Sequence, residues 1–283
     1  MTPSDKIVAG DSRGRFARLA LRANYEFDLA EAALLIAAED DPRCDVARCL
    51  ALLDEWGGEA QTRLGDKRGA ARIAAFNSFI FEELGFAGNQ QNYYDPRNSL
   101  LNQVLERRTG IPITLSIVYC EVGRRAGLKA EGVGFPGHFM VRVGEELDGG
   151  VLVDPFNRDV LDEEDCQERL DNMYGGQVPL TAEHLRPATS REIIIRLLRN
   201  LKGIYAGAHL HRRALAVVER ILLLSPQAFD ERRDRGALLA QLGRYAEAVA
   251  DLKTYLAFSP NAPDTDAVRE QLKRAHNLAA MLN

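Results

Sequence analysis

The sequence predicts an α+β domain followed by an all-α domain, and two hydrophobic patterns support this fold class. In the middle of the chain, an apolar helix beginning near Pro112 precedes short, Val-rich segments, which gives the order helix, strand, strand. Beyond residue 190 the apolar residues recur with the 3.6-residue period of helices. The change of period marks the transition between the two domains.

Length and composition fit this organisation. The chain has 283 residues, of which 46% are hydrophobic and 27% charged, as is typical of folded globular proteins. We expect a first domain at residues 1–185, with a helical part at 25–85 and a core at 90–158, and a second domain at residues 190–283.

Charge and hydropathy disfavour two classes of partner. The net charge of −5 lacks the basic excess of nucleic-acid-binding surfaces, so we expect no nucleic-acid partner. The first 15 residues contain no apolar core of a signal peptide. No segment approaches the roughly 18 consecutive apolar residues of a membrane span. We therefore expect a cytoplasmic protein that makes no membrane contact.

The cysteines and histidines show no spacing typical of a metal site. None of the four cysteines forms a CxxC pair, and the five histidines are scattered. We interpret the cysteines as reduced thiols in or near hydrophobic cores and expect neither a metal nor a cofactor. The cysteines are Cys44, Cys49, Cys120 and Cys166.

Capping residues delimit helices in the N-terminal part. Asp28 is suited to cap a helix over residues 28–40. A second helix is predicted over residues 45–56, ended by Gly57-Gly58, and a third over residues 69–84. The polar segment 89–98 predicts a loop, and a short helix follows it.

The central segment predicts the elements that would carry a site. Pro112 can occupy the first turn of a helix that ends at Gly127. Strands are predicted over residues 131–143 and 151–153, joined by a Gly-rich turn at 144–150. The mostly polar stretch 159–190 is interpreted as a crossing to the second domain.

The C-terminal part contains a repeat. The segment Ile221–Pro226 recurs as Tyr255–Pro260, 34 residues later. A helix–turn–helix unit of this length is the signature of tetratricopeptide repeats. Gly236 and Ala248 would allow close helix packing, and a helix from Thr265 would cap two repeats.

Three central segments resemble the bacterial SirB1 family: Asn98–Ser116, Phe135–Phe139 and Val153–Phe156. The resemblance covers roughly residues 25–280. It implies a transglutaminase-like (papain-like) domain, made of helices and an antiparallel sheet, followed by a tetratricopeptide-like helical domain. A related segment of a eukaryotic F-box protein looks like a recognition module. This sequence departs from many family members at Asn157-Arg158, where they have small residues and Gly.

The resemblance also implies positions for a catalytic triad. In active transglutaminase-like enzymes, a Cys begins a helix, and His and Asp follow on the next two strands. A helix N-terminus and an imidazolium lower the pKa of the thiol, while the Asp orients the imidazole. The corresponding residues are His138 and Asp154, which we expect to contact each other. The nucleophile position falls at or beside Pro112, which has no reactive group.

Neighbouring residues leave two interpretations open. Thr114, Ser116 or Cys120 would be the displaced nucleophile of a residual enzyme, or they would cap and pack the central helix. The His138–Asp154 pair would be a catalytic relic or purely architectural.

The polar segment before the central helices leaves a second pair of alternatives. Four residues of this segment would line a binding cleft or form a capping loop: Tyr93, Tyr94, Asp95 and Asn98. Three residues at the start of the central helix are further candidates for the lining of that cleft: Pro112, Thr114 and Ser116.

Two functions follow from these patterns. The first is a non-catalytic, degenerate transglutaminase-like protein that binds a protein or peptide partner and uses its tetratricopeptide repeats to do so. The second is a cysteine-protease-like hydrolase or acyl-transferase that uses His138 and Asp154 with a displaced nucleophile.

Overall fold

The chain divides into two compact units, residues 1–194 and 195–283. The computed structural model describes residues 3–144 and 150–281. The first unit combines helices with an antiparallel sheet, and the described part of the second unit is built from helices and turns. The predicted fold class is therefore confirmed.

The helices of the first unit begin largely where capping residues predict. Asp28 accepts a hydrogen bond from the backbone N–H of Glu31 at 2.7 Å, and Asp45 accepts one from Arg48 at 3.0 Å. The helices are α1 (Pro3–Ala20), α2 (Leu29–Asp40), α3 (Val46–Leu64), α4 (Gly69–Ser78), α5 (Leu101–Arg107), α6 (Pro112–Arg125) and α7 (Glu163–Tyr174). The predicted third helix is divided, because a π-helical turn follows α4 at Phe79–Glu83.

The predicted end of the second helix is wrong. Helix α3 continues past Gly57-Gly58 to Leu64, and Gly65 ends it with a φ of +47°. Gly57 is instead a point of close helix contact, since a Cβ atom there would lie 2.3 Å from the Cβ atom of Arg125 in α6. The glycine allows α3 and α6 to approach each other.

Among the described residues, the sheet has four antiparallel strands, which pair in chain order. These are β3 (Ala130–Val133), β4 (Met140–Val143), β5 (Val151–Asp154) and β6 (Asp159–Leu161), while β1 (Ala87–Gly88) and β2 (Thr109–Gly110) form a short parallel pair. The single strand predicted over residues 131–143 is thus two strands, separated by a loop in which Gly137 has a φ of +65°. Most of the predicted Gly-rich turn, residues 145–149, lies outside the described residues.

The stretch 159–190 is more than the polar crossing that we predicted. It contains β6 and α7, and α7 buries only Cys166 and Leu170. These two side chains join a core cluster with Met140 and Leu152 of the sheet. A helix that buries so few apolar residues gives a weak periodic signal, which explains the error.

Helix α6 forms the centre of the first unit. All its residues from Pro112 to Gly123 are buried. The helix packs against α3 and against β3 and β4. This burial fixes the start of α6, the region in which the resemblance places a nucleophile.

The second unit has the predicted tetratricopeptide pattern. Its helices are α8 (Ser190–Gly207, which begins in the first unit), α9 (His211–Leu224), α10 (Phe229–Gln241), α11 (Tyr245–Phe258) and α12 (Thr265–Met281). Ser225 and Ser259, 34 residues apart, follow the ends of α9 and α11. A Cβ atom at Gly236 would lie 2.9 Å from the Leu252 side chain, and Ala248 is fully buried, so α10 and α11 pack closely.

Candidate functional site

Pairing of β4 with β5 brings His138 and Asp154 together. His138 lies in the loop before β4, where its backbone N–H donates to the Phe135 carbonyl at 3.1 Å. Asp154 is the last residue of β5. The His138 Nε2 atom is 2.9 Å from Asp154 Oδ1, which is within ion-pair distance.

The Asp154 carboxylate is fully buried and surrounded by donors. Its Oδ2 atom accepts from Arg169 Nη1 and from Asn157 Nδ2, both at 2.8 Å. Its Oδ1 atom accepts from the backbone N–H of Phe156 at 3.0 Å. Burial alone would raise the pKa of Asp154, but His138, Arg169 and Asn157 outweigh it and hold this pKa well below its usual range. Asp154 is therefore a fixed anion suited to orient the imidazole.

The start of α6 carries the residues considered as nucleophiles. Pro112 occupies the first helical position and is buried. The Thr114 hydroxyl donates to the Asn98 carbonyl at 2.7 Å and accepts from the Ile111 N–H at 3.1 Å. The Ser116 hydroxyl donates to the Phe139 carbonyl at 3.5 Å. Both hydroxyls are fully buried and engaged with the backbone.

Cys120 lies two turns into α6 and is buried. Burial raises the pKa of its thiol far above the usual range, and the nearby carboxylates of Glu121 and Glu131 add to this effect. The thiol is therefore protonated at neutral pH. This environment is the reverse of the electropositive, accessible one that activates a cysteine.

A row of aromatic rings adjoins His138. The ring centroids of His138 and Phe156 are 6.2 Å apart, those of Phe156 and Tyr93 are 5.9 Å apart, and those of Tyr93 and Tyr94 are 5.3 Å apart. Tyr94 is 78% exposed. We call Tyr94, Tyr93 and Phe156 the aromatic row. It offers apolar surface beside a partly exposed imidazole.

Asn98 hydrogen-bonds to the loop that carries the two tyrosines of the aromatic row. Its side chain is fully buried and donates to the carbonyls of Asn92 at 2.7 Å and Tyr93 at 3.2 Å. Its Oδ1 atom accepts from Asn89 and Arg107. Asn98 thus fixes the loop that presents the two tyrosines, and its own side chain does not line an open surface.

Sequence reasoning missed two residues that contact Asp154. Arg169 lies on α7, in the stretch interpreted as a polar crossing, and Asn157 was noted only as a departure from the family. A buried carboxylate requires a cation or several hydrogen-bond donors. The burial expected for Asp154 is therefore the signal that indicates a nearby Arg or Asn. A third missed residue, Met173, packs where a Cβ atom of Gly137 would lie.

Two classes of site find no support among the described residues. No group of three or more His, Cys, Asp and Glu side chains is arranged to hold a metal ion in that part of the chain. Within the same residues, no helix combines the length and apolarity needed to cross a bilayer.

Family models match both units of the chain. The model of the transglutaminase-like superfamily matches residues 47–199, and that of the tetratricopeptide repeat matches residues 201–273. The first match covers the sheet, the central helix and the His138–Asp154 pair. No solved structure matches the chain.

Curated relatives resemble the chain over most of its length. A UPF0162 protein of Xylella fastidiosa is 41% identical over 250 residues, covering 86% of this chain and 88% of the relative. The SirB1 protein of Salmonella typhimurium is 30% identical over 196 residues, covering 69% and 72%. F-box only protein 21 of Mus musculus is 42% identical over 80 residues, which cover 28% of this chain and 13% of the mouse protein.

Proposed function

The chain belongs to the SirB1 family of transglutaminase-like proteins with tetratricopeptide repeats, and we propose that it binds a protein or peptide partner rather than catalysing thiol chemistry. A tetratricopeptide array favours a protein partner, because stacked helix pairs offer extended binding surfaces. The net charge of −5 gives no reason to expect nucleic acid. Four free thiols are compatible with the reducing cytoplasm.

The observation that carries the proposal is the start of α6. A thiol or hydroxyl nucleophile must lie within hydrogen-bond reach of its base. Pro112 supplies no such group at the position where the family resemblance places one. The nearest hydroxyls, those of Thr114 and Ser116, donate to backbone carbonyls inside the core. Releasing either one would break a buried hydrogen bond, at a cost of about 0.5–1.5 kcal/mol.

The geometry of the His138–Asp154 pair favours one alternative function. A hydrolase or acyl-transferase would use His138 as base and Asp154 to orient it, with Ser116, Thr114 or Cys120 displaced toward the imidazole. The 2.9 Å separation of the pair supports that possibility. The burial of all three candidate nucleophiles opposes it.

The aromatic row is the contact surface that we propose for the partner. Exposed tyrosines contribute large apolar area at low conformational entropy and are enriched where proteins bind one another. The loop that carries them is fixed by Asn98. A partner would therefore meet a preorganised surface and would lose little free energy in ordering it.

A capture experiment with a matched control tests the binding proposal. The full chain, a Tyr94→Ala variant and a Tyr25→Ala variant are immobilised and exposed to the native cytoplasmic extract. Tyr25 is 89% exposed and serves as a tyrosine of similar exposure outside the aromatic row. We expect a partner retained by the wild type and Tyr25→Ala to be lost from Tyr94→Ala. Equal retention by all three would contradict the proposed surface.

An activity assay separates the two functions. We expect no amine incorporation into protein and no peptide hydrolysis, with or without an alkylating reagent. Activity that disappears on Cys120→Ser or Ser116→Ala would establish the displaced-nucleophile enzyme instead. His138→Ala distinguishes a true activity of this chain from a contaminant.

A further inference from the structure

Two thiols lie on one cavity of the first unit, which none of the residues around His138 and Asp154 lines. The cavity has a volume of about 370 Å³ and lies between the beginning of α3 and helix α5. Cys44 and Cys49 share its wall with Arg48, Asn102 and Gln103. A small polar molecule in this cavity would therefore lie beside both cysteines.

The cap of α3 explains why the two thiols are neighbours. Asp45 is the N-cap, and its side chain accepts from the Arg48 N–H at 3.0 Å. Cys44 therefore precedes the cap, while Cys49, whose N–H donates to the Asp45 carbonyl at 3.0 Å, is the fourth helical residue. Side chains at these two positions pack against each other at helix N-termini, an arrangement known as the hydrophobic staple. In this chain, both positions of the staple are cysteines.

The surroundings of the two sulfur atoms differ in a way that assigns them different roles. Cys49 is half-buried, and its pKa is lowered by hydrogen bonding with the Cys44 thiol and further by the Arg48 cation. Cys44 is 7% exposed, and the same hydrogen bonding, together with burial, raises its pKa. Its Sγ atom also lies 3.8 Å from the Leu34 carbonyl. Cys49 is thus the more accessible thiol and lies beside the Arg48 cation, whereas Cys44 is the buried thiol held next to it.

We propose that Cys44 and Cys49 are a modification site, a dithiol that a hydroperoxide entering the cavity converts reversibly to a disulfide. The Cys49 thiolate attacks one oxygen of hydrogen peroxide, and an S–O bond forms that carries the OH group. The O–O bond breaks, and the departing hydroxide takes a proton and leaves as water, which yields a sulfenic acid at Cys49. The Cys44 sulfur then attacks the sulfenic sulfur, the S–O bond breaks, and the thiol proton leaves with hydroxide as water. Overall, two thiols and one peroxide give one disulfide and two waters, and a dithiol reductant reverses the change.

Tryptic digestion provides a direct test, because Arg43, Arg48 and Arg63 place the two cysteines on separate peptides, residues 44–48 and 49–63. The intact, folded chain is treated with hydrogen peroxide, its remaining thiols are alkylated, and the unreduced digest is analysed by mass spectrometry. We expect the two peptides to appear joined, lighter by two hydrogens than their sum, and to separate after reduction. Cys120 and Cys166 are buried singly and serve as internal controls that should remain alkylatable once the protein is unfolded.

Single variants test the assigned order of the two steps. In Cys44→Ser, we expect the Cys49 sulfenic acid to persist and to be trapped by dimedone. In Cys49→Ser, we expect Cys44 to remain unoxidised at the same peroxide concentration. Should either variant fail to fold, the linked peptide of the wild type still decides the proposal.

Three results would overturn the inference. The first is oxidation of Cys49 to sulfinic acid with no linked peptide, which would make it a lone reactive thiol. The second is a linked peptide that involves Cys120 or Cys166. The third is complete alkylation of both cysteines after peroxide treatment that oxidises an unstructured cysteine peptide.

Discussion

Asp154 shows how a single buried charge organises the candidate site. The carboxylate is inaccessible to solvent, and a buried anion is costly unless donors compensate it. Arg169 supplies the permanent cation, Asn157 and a backbone N–H supply further donors, and His138 approaches the remaining side. Such a carboxylate cannot readily exchange protons at neutral pH. We propose that Asp154 positions the imidazole and holds α7 to the end of β5.

Replacing Asp154 by Asn tests this role. We expect Asp154→Asn to lower the free energy of unfolding by roughly 2–4 kcal/mol, because Arg169 would be left near a neutral amide whose NH₂ group faces other donors. Urea unfolding gives the measurement. Asp159→Asn is the control: this residue is 55% exposed and 4.0 Å from Arg169, so its replacement should change stability by less than about 0.5 kcal/mol. Equal effects of the two substitutions would contradict the assigned role.

The residues of the site differ in how far the sequence could predict them. The family resemblance implies the positions of His138 and Asp154, and the structure brings them together, although His138 lies in the loop before β4 and not on a strand. Arg169 could not be found in this way, since its partner lies 15 residues earlier and only the packing of α7 joins them. Arg158 holds a φ of +66°, a conformation that favours Gly. This conformation fits the Gly that the family resemblance implies in this turn.

At the scale of elements, the features that depend on residues close in sequence were predicted correctly. The features that depend on tertiary contacts were not. The starts of α2 and α3 depend on an Asp side chain and a backbone N–H three residues away, so the sequence alone predicts them. Gly57-Gly58 resembled a helix end, because glycine commonly terminates helices. Its actual function depends on Arg125 of α6, which no local pattern reveals. Strand β6 is three residues long and mostly exposed, which leaves little hydrophobic pattern to detect.

The two adjacent glycines of α3 give a matched pair of substitutions. Gly57→Ala should destabilise the protein by about 1–3 kcal/mol, because the added methyl group would overlap the Arg125 Cβ atom, which cannot move without its backbone. Gly58→Ala should stabilise it by roughly 0.5–1 kcal/mol, since nothing lies within 4 Å of the new atom and Ala favours helix. Thermal unfolding of both variants provides the comparison. Two changes of the same sign would show that α3 and α6 do not meet at Gly57.

At the scale of the whole molecule, buried carboxylates have different structural roles in the two units. In the second unit, buried carboxylates join neighbouring helices: Glu231 contacts Arg199 and Lys202, while Asp251 binds Arg235 through two hydrogen bonds of 2.6 and 2.7 Å. In the first unit, the buried charge that matters most to the site is Asp154. The contribution of Asp154 to the stability of that unit should therefore depend on pH.

Trp56 allows the first unit to be followed separately. It is the single tryptophan of the chain, it is buried, and its ring meets Phe86 edge-on at a centroid distance of 5.7 Å. The Arg108 guanidinium lies 4.0 Å above the ring. Unfolding of the first unit would expose the indole and change its fluorescence, whereas the second unit contains no tryptophan.

The last prediction concerns the acid stability of the first unit. The folded-state pKa of Asp154 lies well below the value of about 3.9 of an unfolded chain, so the unfolded state binds the proton first as pH falls. The stabilisation by Asp154 is therefore complete above pH of about 4 and is lost as pH falls toward the folded-state pKa. Glu192, whose pKa is lowered to about 2 by Arg186, acts in the same direction. In urea unfolding followed by Trp56 fluorescence, wild type and Asp159→Asn should lose stability steeply below that pH, and Asp154→Asn should lose less. Parallel curves for wild type and Asp154→Asn would mean that the folded protein does not hold Asp154 as an anion.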